Sequence, residues 1–447
     1  MKKFSLLSFL LVPTAVLATD PAIVSTTVCN VGSKGEIAYT LQSAPAVVTM
    51  DIQTNSPSGW LSIGGKYFAN ATGDVNCRVE KTSGRIRWRA RENWKDKEIG
   101  GKGFRAVISA WPVDNPPPYM VVDLRKTSDC RVKYYAKESD LVGGGVLADG
   151  MYRTTHLVLR KIPAKGVSWT MGSIYETTRQ ANERTHSVVL DRDYYMGVFE
   201  VTQYQHALAG ETASWAKPVY GVDGDMRPAD TAVSYNLLRG DASGTTGTLA
   251  APKAGSIIGK FRSRTGVDFD LPGEAQWEYA CRSGVGEGYW PDGSPQLLNG
   301  WDDSSLKCYA SVSLCYVGRY RGNGGAKNKE HYGENCYVFW TDDMVGPTNA
   351  TAKAGTYVPN KWGLYDTCGN MAEWCLDWYK DDIGGLNGAV VTERGDGAEL
   401  RVVRGGSYRD SGKWCRPACR TSGNPTHSHE GWNNPDGYRL CAPCIAK

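Results

Sequence analysis

The stretch Trp362-Gly-Leu-Tyr-Asp-Thr-Cys-Gly-Asn-Met-Ala-Glu-Trp374 is the part of this chain that says most about its fold. Asp366 and Glu373 lie seven residues apart, and Gly369 between them permits a tight turn. Such a turn can present side-chain and main-chain oxygens to one cation, and hard oxygen ligands favour Ca²⁺. The alternative is that both carboxylates simply accept hydrogen bonds from loop amides.

Other short blocks flank this stretch in one order along the chain. They are Thr170-Met-Gly-Ser173, Gly197-Val-Phe-Glu-Val-Thr202, Leu271-Pro-Gly-Glu-Ala-Gln-Trp-Glu-Tyr-Ala280, Arg404-Gly-Gly-Ser-Tyr408 and Gly437-Tyr-Arg439. The series resembles the sulfatase-modifying-factor, or formylglycine-generating-enzyme, family over residues 153–442. The resemblance implies an irregular α+β fold related to C-type lectins, and the strand pattern before residue 125 predicts that a small all-β sandwich precedes it. It also implies a structural calcium site formed by the carboxylates of Asp366 and Glu373 and the main-chain oxygens of Gly369 and Met371.

The first residues, MKKFSLLSFLLVPTAVLATD, have the pattern of a secretory signal peptide. A basic start and a short apolar run lead to Val16-Leu17-Ala18, which predicts a signal peptide over 1–18. Because no later apolar run is long enough to span a membrane, we expect export to the periplasm, the cell surface or the medium. An uncleaved membrane anchor is the alternative.

Residues 20–125 are predicted to form the β-sandwich. The segments 46–52, 86–90 and 105–111 alternate or run apolar with β-branched residues, and turn signals separate them. The glycine-rich stretch 143–145 suggests a linker over 126–152, and 153–447 is then the second domain. Two helices are predicted within it, Thr202–Leu208 with Thr202 as cap and Glu274–Arg282 between Pro272-Gly273 and Ser283-Gly284.

Composition restricts the function further. A net charge of +4 over 447 residues is too small to indicate nucleic-acid binding. The 52 glycines and 21 prolines indicate a turn-rich globular protein. Thirteen cysteines in an exported chain predict disulfides, with at least one thiol left unpaired in a monomer and a connectivity that spacing does not reveal.

Catalysis depends on two positions near the end of the chain. Oxidase members of the family hold Cu(I) between two cysteines, which lie two and seven residues after the aromatic residue of the Gly-Gly-Ser-aromatic motif. Counted from Tyr408, the second position is Cys415 but the first is Asp410, which is not a thiol. If this stretch were helical, Cys419 could share one face with Cys415 and replace the missing sulfur. The alternative is that both cysteines belong to disulfides or packing.

A non-haem iron site is the weakest enzymatic hypothesis. Relatives of the ergothioneine-synthase type need two histidines and one carboxylate on a separate domain. The sequence has no histidine between residues 20 and 150, and the pair His427 and His429 is more simply explained as surface residues.

The same C-terminal segment has the composition of a recognition surface. Polar residues are interleaved with two tryptophans, as in adaptable binding faces. The candidate ligand-binding residues are Asp410, Ser411, Lys413, Trp414, Thr421, Asn424, His427, His429, Trp432 and Asn433. The layout also resembles retroelement-diversified variable proteins of this fold, which place their variable surface at the extreme C-terminus. An ordinary solvated loop is the alternative.

The sequence therefore predicts an exported protein that binds a protein or glycan ligand and does not catalyse. The alternative is a formylglycine-generating oxidase that converts a sulfatase cysteine with Cu(I) and oxygen. The two hypotheses part at Asp410, because an oxidase needs a thiol there and a binding surface does not.

Overall fold

The structure is a computed structural model. It describes residues 20–31, 34–94, 104–125, 131–174, 178–210, 226–230, 233–240, 250–301, 308–310, 313–323, 351–383, 400–426 and 436–447. The predicted signal peptide and four of the candidate binding residues, His427, His429, Trp432 and Asn433, lie outside these ranges. Within them, no helix combines the length and the apolar character needed to cross a bilayer.

The first module consists of two β-sheets that face each other. Its elements are β1 (Ile23–Val31), β2 (Lys34–Leu41), β3 (Ala46–Ser56), β4 (Gly59–Ser62), α1 (Gly65–Phe68), β5 (Thr72–Gly73), β6 (Cys77–Val79), β7 (Ser83–Trp88), α2 (Ala90–Asn93) and β8 (Phe104–Trp111). One sheet has the order β1-β2-β7-β5, and in the other β3 pairs with β4, β6 and β8. Ile37 of β2, Met50 of β3 and Ile86 of β7 share one buried core, as the alternating pattern of these strands requires. The predicted β-sandwich is confirmed.

The division between the sheets differs from the predicted boundary at residue 125. The next strand, β9 (Tyr119–Asp123), is paired with β10 (Val132–Tyr135) and with β11 (His156–Ile162) of the second domain. All five residues of β9 are buried, because it lies inside a sheet. The described part of the segment predicted as a linker, residues 131–152, contains β10 and the buried Leu141 and Val146 and is folded.

The second domain combines small, mainly antiparallel sheets with short helices. Its remaining strands are β12 (Ser168–Met171), β13 (His186–Val189), β14 (Tyr194–Gly197), β15 (Asn299–Trp301), β16 (Cys308–Ala310), β17 (Ala372–Trp378), β18 (Arg401–Arg404), β19 (Thr421–Gly423), β20 (Asp436–Gly437) and β21 (Cys441–Pro443). Its helices are α3 (Gln203–Leu208), α4 (Tyr235–Arg239), α5 (Ile257–Thr265), α6 (Glu274–Arg282) and α7 (Leu314–Val317). The strand orders are β10-β9-β11-β14-β21 and β19-β18-β17-β20, with β12 paired to β13 and β15 to β16. This arrangement confirms the α+β class.

Both helices predicted in this domain are present. The Thr202 hydroxyl accepts from the Gln205 amide at the start of α3, and the Gln205 side chain accepts in return from the Thr202 amide. Helix α6 ends where Ser283 turns left-handed at φ 47°. Its Trp277 is fully buried and shares one hydrophobic core with Trp374 of β17, so α6 packs next to the loop before β17.

Candidate functional site

The loop before β17 is held in a tight conformation. Asp366, Gly369 and Asn370 have φ values of 57°, 90° and 65°. A Cβ atom on Gly369 would lie 2.3 Å from the Arg319 carbonyl oxygen, so no larger residue fits there. The Asn370 side chain accepts from the Ala352 amide at 2.7 Å and donates to Glu200 at 2.6 Å. The left-handed turns thus aim the carboxylates of this loop into the protein.

Glu373 is part of a buried ion pair. It is inaccessible to solvent, and its Oε1 accepts from Arg439 Nη2 at 2.7 Å while Oε2 accepts from Trp277 Nε1 at 2.7 Å. Arg439 also donates to the Tyr365 carbonyl oxygen at 2.8 Å, which closes the loop onto β17. The Arg439 guanidinium therefore already supplies the positive charge that a metal ion would bring to Glu373.

Asp366 and Glu200 form the less compensated part of the cluster. Asp366 Oδ2 accepts from the Gly355 amide at 2.7 Å, whereas its buried Oδ1 has no hydrogen-bond partner. Burial raises the pKa of Asp366 to about 6. Burial and the charges of Asp366 and Glu373 raise the pKa of Glu200 well above its usual range.

These residues fit the predicted calcium site only in part. Asp366 Oδ1 is an orphaned oxygen suited to a hard cation, but Glu373 is already neutralised by Arg439. Among the residues that the structure describes, no three or more His, Cys, Asp and Glu side chains are grouped so that they could hold a metal ion. Calcium therefore remains a prediction centred on Asp366.

Asp410 is fixed within its own turn. Its Oδ2 accepts from the amide and the hydroxyl of Ser407, at 2.8 and 2.6 Å. Its main-chain oxygen accepts from the Arg321 amide at 2.9 Å. Burial raises the pKa of Asp410 despite these hydrogen bonds. The position where an oxidase has a thiol is thus filled by a carboxyl group with its own partners.

Cys415 is deeply buried at the end of a short 3₁₀ turn, 412–415. Its Sγ lies 3.9 Å from the Ser411 carbonyl oxygen, and its side chain is inaccessible to solvent. Burial, with the nearby Asp410 and Cys419, raises the pKa of the Cys415 thiol far above its usual value. Because the thiolate is the copper ligand, a protonated thiol is poorly prepared to bind Cu(I).

The helical pairing considered for Cys415 and Cys419 does not form. The chain becomes extended at Arg416, with φ −67° and ψ 144°, so the two cysteines do not share a helix face. Arg416 then turns inward and donates to Glu183 at 2.6 and 2.7 Å, which fixes the extended course. Burial raises the pKa of the Cys419 thiol to about 12. The condition for a shared helix face, a helical stretch through Cys415 and Cys419, is therefore not met.

The described candidate binding residues differ in how far they are exposed. Lys413 and Trp414 are half-buried, and the Lys413 ammonium lies 4.9 Å from the Trp414 ring centroid. Ser411 is buried, Thr421 donates to the Val403 carbonyl oxygen at 2.8 Å, and Asn424 accepts from Thr426 at 2.7 Å. Trp414 is thus the aromatic group of this set that the structure places at the surface.

Sequence reasoning missed Asp436, which lies in β20 beside β17. The two strands pair in parallel, which places Asp436 opposite Ala372 at the start of β17. Burial and the charge of Asp410 raise the pKa of Asp436 to about 8. No sequence motif joins the two carboxylates, which lie on different segments of the chain.

A polar groove of about 680 Å³ lies elsewhere, on the first module. Its lining includes Thr27, Tyr39, Asp74, Arg78 and Arg85. Because none of the candidate catalytic, metal or binding residues lines it, the groove is separate from the C-terminal face.

Comparisons with known proteins give the family. A family model described as "Sulfatase-modifying factor enzyme 1-like domain" matches residues 159–433. The formylglycine-generating enzyme of Thermomonospora curvata is 30% identical over 172 residues, which are 36% of this chain and 47% of that enzyme. The chain thus spans less than half the length of this curated relative.

Two solved structures are also similar. "Structure of PvdO from Pseudomonas aeruginosa" has a TM-score of 0.43 and 20% identity, and the match covers 64% of this chain and 94% of that one. "Treponema denticola variable protein 1" has a TM-score of 0.42 and 20% identity, covering 65% and 96%. Since the family model spans more than half of its residues, this chain belongs to the sulfatase-modifying-factor, or formylglycine-generating-enzyme, family.

Proposed function

We propose that this chain is an exported, non-catalytic ligand-binding protein that uses the C-terminal face of its sulfatase-modifying-factor-like domain. The observation that carries the proposal is the environment of Asp410. A linear Cu(I) site needs two thiolates, and Asp410 supplies a carboxylate that is committed to Ser407. Cys415 supplies a buried thiol whose raised pKa keeps it protonated.

The surface chemistry supports recognition of a polar ligand. Trp414 gives a large apolar contact area at low conformational cost, and Lys413 beside it supplies a charge. Thr421 and Asn424, further along the chain, are also half-buried and carry polar side chains. A protein or glycan with exposed hydroxyl and amide groups fits such a surface, while the first module acts as a spacer.

A peptide-oxidation assay tests the proposal. The purified mature chain is incubated with Cu(I), oxygen, reductant and a Cys-x-Pro-x-Arg peptide. The mass of the peptide is then measured by mass spectrometry. We expect no change, because one protonated thiol cannot form the copper site. Conversion of the cysteine to an aldehyde, abolished in Cys415→Ser, would contradict the proposal.

Direct binding gives the positive test. The chain is applied to an array of glycans and purified surface proteins, together with Trp414→Ala and with Trp60→Ala as matched control. Trp60 is 36% exposed on the first module and packs on Arg105, so its loss removes a comparable aromatic surface elsewhere. We expect a specific signal that disappears only in Trp414→Ala. Equal signals from all three proteins would contradict a C-terminal binding face.

The second candidate is a formylglycine-generating oxidase. The retained Cys415 and the similarity to the Thermomonospora curvata enzyme favour it. The variant Asp410→Cys separates the two hypotheses, because it restores a thiol at the other position of the family's copper pair. Under our proposal, Asp410→Cys gains Cu(I) binding that the wild-type chain lacks. Equal Cu(I) binding by both proteins would favour the oxidase.

A further inference from the structure

Two thiols with no role in the proposed function face each other inside the second domain. Cys281 lies in the last turn of α6, and Cys368 lies in the loop before β17. Their sulfur atoms are 4.0 Å apart, although the residues are 87 positions apart in sequence. Both side chains are inaccessible to solvent. The tertiary structure therefore creates a cysteine pair that spacing does not suggest.

The main chain around each thiol is fixed by specific contacts. The Asn360 side chain donates to the Cys281 carbonyl oxygen at 3.1 Å and to that of Ala280 at 2.8 Å. On the other side, a Cβ atom on Gly318 would lie 1.5 Å from the Cys368 carbonyl oxygen, so the loop packs closely there. The sulfurs thus meet because their backbones are held, and not through chance side-chain positions.

A bridge needs a modest movement of the two sulfur atoms. Disulfides have an S–S length of about 2.0 Å, so the sulfurs must approach by roughly 2 Å in total. Cys281 Sγ at present donates weakly to the Thr367 carbonyl oxygen at 3.6 Å, a contact that rotation of the side chain can give up. Cys415 is the competing partner, since its thiol also acts on the pKa of Cys368.

We propose that Cys281 and Cys368 form a disulfide bond in the exported protein and that Cys415 remains a thiol. The bond removes one proton from each thiol. The two electrons pass to a disulfide-containing thiol oxidase of the exporting compartment, which becomes a dithiol through a mixed disulfide. Because both sulfurs are inaccessible in the folded domain, the exchange occurs before α6 and the loop pack together. The bond links α6 to the loop before β17. This loop carries Asp366 and also Asn370, which donates to Glu200.

Disulfide mapping tests the bond directly. The full chain is exported from a bacterial host, alkylated in denaturant without reductant, digested and analysed by mass spectrometry. We expect one cross-linked species containing Cys281 and Cys368, two hydrogens lighter than the separate peptides, and an alkylated Cys415. Alkylation of both cysteines, or a link between Cys368 and Cys415, would overturn the proposal.

Failure of export is a different result and is recognised separately. A chain that stays inside the cell with its first 18 residues attached contradicts the export proposal. The same full chain, refolded in a buffer of oxidised and reduced glutathione, then decides the bond by the same map.

Reductant dependence supplies a second readout that does not depend on every variant being stable. We expect reductant to lower the melting temperature of the wild-type chain by more than it lowers that of Cys281→Ala, Cys368→Ala or the double variant. Cys375→Ala is the matched control, because Cys375 is equally inaccessible to solvent and is expected to keep the reductant effect. A reductant effect of the same size in the wild-type chain, Cys281→Ala and Cys368→Ala would overturn the bond.

Discussion

Two neighbouring parts of the C-terminal segment treat buried charge in opposite ways. Arg416 and Arg420 are buried, and each makes a two-pronged pair, with Glu183 and Glu274 respectively. Asp410 is held by Ser407, and burial raises its pKa and that of Asp436. Paired charges explain how the domain holds its loops. Carboxylates that are costly to ionise lower the stability when they lose their protons, so their surroundings are where a function is expected.

The largest effect should come from breaking one of the paired sites. Arg416→Met leaves Glu183 as a buried carboxylate without its guanidinium, and we expect a loss of about 3–5 kcal/mol in the free energy of unfolding. Denaturant unfolding measures it. The double variant Arg416→Met/Glu183→Leu should recover much of that loss. If the single variant were as stable as the wild-type chain, the pair would not be part of the framework.

Asp436 should make the free energy of unfolding depend on pH. Its folded pKa of about 8 exceeds the unfolded value of about 3.9, so the folded state binds the proton more tightly. The associated stability is complete at acidic pH and is lost as pH rises toward 8. Between pH 5 and 8 we expect the wild-type chain to lose on the order of 3 kcal/mol more than Asp436→Asn. Parallel pH profiles for the two proteins would refute the assignment.

Calcium binding tests the cluster of buried carboxylates formed by Asp366, Glu200 and Glu373. If Asp366 binds calcium, a concentration 100-fold above Kd should stabilise the wild-type chain by about 2.7 kcal/mol, and Asp366→Asn should lose this gain. Thermal melting with and without calcium measures both. Asp268→Asn is the control, since Asp268 pairs with Lys447 at the surface. An equal calcium response in all three proteins would place any ion elsewhere.

The smallest effect on stability is expected at the proposed binding face. Trp414→Ala removes a half-buried ring that makes a cation–π contact with Lys413. We expect a loss of about 1 kcal/mol or less in the free energy of unfolding. A loss as large as that of Arg416→Met would show that Trp414 belongs to the framework rather than to a replaceable surface.

Sequence patterns were most informative where local chemistry is sufficient. Thr202 as cap marked the start of α3, and Ser283-Gly284 marked the end of α6, because caps and left-handed turns depend on adjacent residues. The boundary at residue 125 failed for the converse reason. A buried strand such as β9 can join either of two sheets, and its partners lie far along the chain.

The candidate site shows the same limit. The position of Asp410 relative to Tyr408 could be counted from the sequence, and with it the doubt about a copper site. That Arg416 would break the helix needed by Cys419 could not, because its partner Glu183 is 233 residues away.

The order and local spacing of the motifs were enough to identify the family and the residue types available at each motif position. How those residues are used depends on the folded domain. It placed Arg439 on Glu373, brought Asp436 toward Asp410, and set the Cys281 sulfur 4.0 Å from that of Cys368. The physical reason is that burial and charge pairing depend on neighbours in space, which long loops bring together from distant parts of the chain.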